Sequence, residues 1–174
     1  MNIIEARDLK KSHDDRVVLD LPLVTLAAGE ILVISGPNGA GKSTLLHLLA
    51  LLDHPDAGRV FFRGKELLGH GDWFSARRHI TLVDQKPYAF PGSVGRNVAY
   101  GLRLRGVGRT EAWKRASAAL EQVGLTDFIR RPARGLSGGE LRRMALTRAL
   151  VIEPEVLLLD EPTAHVDVEK SLTV

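Results

Sequence analysis

The 174 residues carry 44% hydrophobic and 26% charged side chains, a balance that suits a water-soluble globular chain with one sizeable core and room for a small lobe. A formal net charge of +3, spread among interleaved acidic residues, lends little support to a nucleic-acid binder, and the absence of cysteine excludes a disulfide framework or a thiolate metal site. Glu5 and Asp8 interrupt any basic-then-apolar leader, and the run from Leu45 to Leu52 is short of the ~20 apolar residues that span a bilayer, so a soluble cytoplasmic domain is expected.

In chain order, Ile3 to Leu9 and Val17 to Leu26 read as strands, the second broken at Pro22. Ala27 to Glu30 is a turn, and the apolar run Ile31 to Ile34 reads as a strand buried on both faces, central in a mixed or parallel sheet. A helix is predicted from about Lys42 to Leu52, with Pro55 beyond its end. Val60 to Phe62 and Ile80 to Val83 follow as short strands. From about Asn97 to Arg134 strand signals disappear; Thr110 can cap a helix running to Val123, with Gly124 as its terminator. Ser137 then caps another helix, Glu140 completes a capping box, and Pro154 stops that helix before the strand Val156 to Leu159. There is no internal repeat and no low-complexity segment. The expected fold class is α/β, with residues 1–95 and 135–174 as a core and 96–134 as an inserted helical lobe.

Gly36-Pro37-Asn38-Gly39-Ala40-Gly41-Lys42-Ser43-Thr44 has the spacing of a phosphate-binding loop between an apolar strand and a helix. The glycines allow the tight turn that aims backbone N–H groups at phosphate oxygens, and the helix start adds its positive end. Lys42 supplies a point charge to the β- and γ-phosphates, Ser43 a hydroxyl that can ligate Mg²⁺, and Thr44 one more donor. Asp160 and Glu161 end an apolar strand, where open α/β sheets bind ligands; Asp160 suits Mg²⁺ and Glu161 suits a general base for water.

Downstream, Leu136-Ser137-Gly138-Gly139-Glu140 places a hydroxyl and backbone N–H groups at a helix start, which is an anion site as well as a cap. The order of phosphate loop, Gln85, this Ser-Gly-Gly turn and the acidic pair resembles an ATP-binding cassette (ABC) ATPase from near Ile3 to about Asp167. Glu140 stands where that family more often has Gln. The resemblance implies a two-lobed P-loop cassette with a mixed sheet and an N-terminal antiparallel part. It implies ATP and Mg²⁺ as ligands, with Ser43, Gln85 and Asp160 at the metal and Glu161, Gln85 and Lys42 in hydrolysis. It further implies that Ser137, Gly138 and Gly139 close over ATP held by a second subunit, so that two copies form a dimer around nucleotide.

His13 stands where the family stacks an aromatic on adenine; stacking and an exposed strand-end histidine both fit it. Thr163 to Asp167 resembles the family's D-loop, with His165 a peripheral substitution, while the family's switch histidine belongs to a strand later than Val174. Residues 85–101 look like importer ATPases, those for small oxyanions such as tungstate included. Partners implied are a second ATPase subunit and transmembrane permease subunits whose coupling helix sits near Gln85. The site is then cytoplasmic, at the inner face of the membrane, with no direct nucleic-acid contact. Arg77-Arg78, Arg130-Arg131-Arg134 and Arg142-Arg143 read as solvated faces and helix ends. A non-transport ABC ATPase acting on nucleic acid or the translation machinery, and a cassette that binds ATP without efficient turnover, are the alternatives.

Overall fold

The computed structural model describes residues 1–14 and 16–161, which form two compact units, Met1–Leu82 and Val83 onward. The first unit opens with two long strands, β1 (Asn2–His13) and β2 (Arg16–Ala27), paired antiparallel. Strands β3 (Ala57–Phe62) and β4 (Lys65–Glu66) extend them into a sheet of order β2-β1-β3-β4. Helix α1 (Lys42–Leu49) buries Leu45, Leu46, Leu48 and Leu49, and the sheet contributes Ile4, Ala6, Leu9 and Val60 to the core. Each fully buried leucine of this set stabilises the fold by roughly 1.5–3 kcal/mol relative to exposure. A second helix, α2 (His70–Arg77), buries Trp73, whose indole N–H donates to the Leu67 carbonyl at 3.1 Å.

Two expectations are corrected in this unit. Pro22 does not break β2, because β2 is an edge strand and the missing N–H falls between the pairs Arg7–Leu23 and Leu9–Leu21, opposite the kinked Asp8 (φ 53°). That kink crowds β3, where a Cβ on Gly58 would stand 2.5 Å from the Asp8 carbonyl oxygen, so only glycine fits. The run Ile31 to Ile34 is not a buried strand: residues 31–35 join neither sheet, and Ile31 and Val33 are 90% and 80% exposed. Apolar composition makes a strand only where a neighbour completes the ladder, and among the described residues none pairs with this segment.

Strand β5 (Ile80–Val83) ends where the second unit begins; within that unit lies β6 (Val156–Leu159), and the Asp160 amide that follows it donates to the Val83 carbonyl at 3.0 Å. The second unit is otherwise helical: α3 (Val94–Leu104), α4 (Arg109–Gln122) and α5 (Gly138–Leu150). Their shared cluster is Val94, Val98 and Leu102 from α3, Ala112, Ala116 and Leu120 from α4, and Met144 from α5. The four-residue spacing of Ala112, Ala116 and Leu120 puts them on one stripe, and the small alanines let the helices approach closely. The cap of α4 is Gly108 rather than Thr110, which lies inside the first turn and makes no capping bond; Gly124 (φ 67°) follows its end in the left-handed conformation. Among the described residues no helix is long and apolar enough to cross a membrane.

Candidate functional site

In the first unit, Gly36 to Thr44 forms an exposed loop that runs into α1. Gly39 and Gly41 have φ of 81° and 82°, values that other residues adopt only with strain, and a Cβ on Gly41 would collide with the Val18 carbonyl. The Lys42 ammonium donates to the carbonyls of Gly36 and Pro37, 2.9 Å each, so the lysine lies back across its own loop. No side chain caps α1, and the first amides of Lys42, Ser43 and Thr44 take no protein acceptor among the described residues. Asn38 and Ala40 shape the turn, with the Ala40 amide donating to the Pro37 carbonyl at 3.2 Å. These N–H groups and one ammonium form the donor set a polyphosphate requires. His13, at the exposed end of β1, pairs across the hairpin with Arg16.

In the second unit, two residues remote in sequence meet: the Gln85 side-chain amide donates to the Glu161 carboxylate across a separation of 76 residues. Glu161 has φ 47°, a strained conformation for a non-glycine residue, at the turn that leaves β6. Asp160 is fixed through its backbone to Val83, and its carboxylate takes no protein donor among the described residues. Residues Thr163, His165 and Asp167 lie outside the described residues.

Helix α5 begins with the full capping box. The Ser137 hydroxyl accepts from the Glu140 amide at 3.4 Å, while the Ser137 amide and hydroxyl both donate to the Glu140 carboxylate at 2.7 Å. These bonds, with smaller contributions from Arg143 and Arg131, hold the Glu140 carboxyl below its usual 4.5. Among the described residues the amides of Gly138 and Gly139 take no acceptor, and beyond their chain neighbours and their own helix backbone nothing lies within 4 Å of where a Cβ would be, so an anion can approach the helix start closely.

Sequence reading missed how α5 and α3 grip the segment after Gln85. Arg142 donates to the Gln85 carbonyl at 3.2 Å and Arg148 to the Tyr88 carbonyl at 2.8 Å. Arg148 also lies 4.7 Å from the centre of the Phe90 ring, and burial lowers its pKa. Asn97, only 1% exposed, accepts from the Phe90 amide at 2.8 Å and donates to the carbonyls of Phe90 and Ser93, 3.0 Å each. The result is an aromatic patch, Tyr88, Phe90 and Tyr100, that is 60%, 37% and 47% exposed on a fixed backbone. A buried asparagine at helix spacing was the available signal, though its partners are not legible locally.

Residues 21–164 match the ABC transporter family. The chain belongs to that family. This cassette is 40% identical, over 98% of its length and 77% of the relative's, to the tungstate uptake system ATP-binding protein TupC of Peptoclostridium acidaminophilum. It is 40% identical to the molybdate/tungstate import ATP-binding protein WtpC of Thermococcus kodakarensis, over 81% of the chain and 42% of the relative. Identity to the Fe(3+) ions import ATP-binding protein FbpC of Escherichia coli O157:H7 is 38%, over 95% of the chain and 47% of the relative, so the cassette spans less than half of these two relatives. Among solved structures it superposes on cbiO1 from Clostridium perfringens, part of the ABC transporter complex cbiONQ, with a TM-score of 0.81 and 32% identity. That superposition covers 95% of the cassette and 68% of cbiO1. A bacterial Atm1-family ABC exporter with ATP bound gives the same TM-score at 31% identity, over 95% of the cassette and 30% of that chain.

Each unit holds oxygen donors of the kind magnesium takes: in the first the Ser43 hydroxyl, and in the second the Asp160 carboxylate, are without protein partners among the described residues, and the second also carries the Gln85 amide oxygen.

Proposed function

We propose that the chain is the ATP-binding and hydrolysing subunit of an importer for a small oxyanion, of the tungstate or molybdate class. The observation that carries the reading is the Gln85–Glu161 hydrogen bond, which joins the residue expected at the metal and in hydrolysis to the expected general base. Lys42 leaves its loop carbonyls for the β- and γ-phosphates, and the amides of Gly39 to Thr44 orient the remaining oxygens. Ser43, Gln85 and Asp160 would hold Mg²⁺, which would supply positive charge beside the phosphates. Glu161 accepts a proton from the attacking water, and Gln85 positions that water. Ser137, Gly138 and Gly139 present their open helix start to the γ-phosphate of a second copy, making the nucleotide the glue of a homodimer. The patch of Tyr88, Phe90 and Tyr100 offers a membrane subunit an apolar hold, so that the protein works at the inner face of the membrane. The lobe division at 96–134 and the choice of cargo belong to the same proposal; support for the cargo comes from the TupC and WtpC likenesses.

The test compares steady-state ATP hydrolysis, ATP binding and nucleotide-dependent dimerisation in the native chain and in Glu161→Gln. The expected result is a substituted chain that binds ATP, accumulates as a dimer and turns over at least about a hundredfold more slowly. Equal turnover in the two chains removes Glu161 from the role of base.

A further inference from the structure

An open groove runs between α3 and α4 in two sections of about 720 and 430 Å³. The sections share Arg96, Arg109 and Trp113; Arg130 lines the first, and Arg103 with Tyr100 lines the second. Neither lining includes a carboxylate, and among the described residues none of the four arginines forms an ion pair. The fold does not need them there, because the cluster beneath is built from the aliphatic side chains of α3, α4 and α5. Four like charges around one concavity repel each other, and a ligand of opposite charge relieves that repulsion.

The floor is shaped as well as charged. Gly95 lets Trp113 lie against the backbone of α3, where a Cβ would come within 2.8 Å of the indole, and leaves the ring 37% exposed. Arg96 and Arg103 stand seven residues apart on α3, two turns or about 10.5 Å along the axis. Guanidinium forks pair with carboxylates in bidentate fashion, and an indole takes an apolar side chain. A flat bilayer does not fill a concave groove. A nucleic-acid backbone calls for an extended basic stripe, whereas this chain interleaves its acids and bases to a net +3.

We propose that the groove binds an acidic segment of a partner protein, with two carboxylates about two helical turns apart meeting Arg96 and Arg103 and an apolar side chain seated on Trp113. This goes beyond the transporter reading and does not depend on it, since occupancy is scored without ATP or a membrane subunit.

The test uses the full chain carrying Trp73→Phe, so that Trp113 is the single indole, and follows its fluorescence. The probe is a short acetylated, amidated helical peptide with two glutamates two turns apart and leucine between them, beside its glutamine counterpart. The expected result is saturable binding of the glutamate peptide, weakened about tenfold or more by glutamine in the peptide or by Arg96→Gln with Arg103→Gln in the chain. Circular dichroism verifies that the substituted chain is folded, and Arg109→Gln gives an independent second variant. No binding, equal binding of both peptides, or indifference to the arginine substitutions overturns the proposal. So does tighter binding of oligouridylate or of phosphatidylglycerol vesicles, which would assign the groove to a nucleic acid or a membrane.

Discussion

Replacing Asn97 with alanine tests whether the loop after Gln85 is held by one buried side chain. Three hydrogen bonds vanish together: one accepted from the Phe90 amide and two donated, to the carbonyls of Phe90 and Ser93. At roughly 0.5–1.5 kcal/mol per bond the expected loss is about 2–4 kcal/mol, near the upper end because the site is nearly fully buried. Arg148 also loses an oxygen at 3.4 Å while its own bond to the Tyr88 carbonyl remains, so the loop should loosen at Phe90 before it loosens at Tyr88. The assay is urea unfolding followed by Trp113 fluorescence in a Trp73→Phe background, with hydrogen exchange at the Phe90 amide as the local readout. A loss below ~0.5 kcal/mol, the range of an ordinary surface change, together with unchanged Phe90 exchange would refute the clamp.

Gly95→Ala should shift the Trp113 emission and destabilise the helical unit by about 1–3 kcal/mol, because the new methyl must displace Ile129 or the indole; an unshifted spectrum counts against the packing described. Lys42→Ala should abolish tight ATP binding while leaving α1 folded, as judged by circular dichroism, since among the described residues the hydrogen bonds of its ammonium go to its own loop. The Glu140 carboxyl is held low by Ser137, so the capping box is intact above 4.5 and opens as pH falls through the lowered folded value. An NMR titration of the Ser137 amide should therefore show a midpoint below 4.5, and a midpoint at or above it would contradict the box.

What could be read in the sequence was what is local. The Ser137–Glu140 box is an i, i+3 pattern and its geometry follows from two residues. The phosphate loop is written in glycines, and Gly39 and Gly41 have the positive φ their type suggested. Helix α3 was harder, because Val94, Gly95 and Gly101 weaken helix propensity and its stability comes from burying Val94, Val98 and Leu102 against α4 and α5. The bonds of Arg142 and Arg148 to loop carbonyls more than fifty residues away leave no periodicity to find, and a basic pair was read as solvated. Residues 31–34 failed in the opposite sense, since apolar character reports a wish to be covered and not the presence of a cover.

That uncovered segment bears on how the chain is handled at the bench. Four consecutive apolar residues whose backbone donors and acceptors find no partner among the described residues are a template for strand addition from another molecule. Self-association by this route rises with protein concentration and ignores nucleotide. A dimer band taken as a sign of ATP therefore needs a companion sample of Lys42→Ala at the same concentration, because association that persists there comes from the exposed apolar segment and not from the cassette's chemistry.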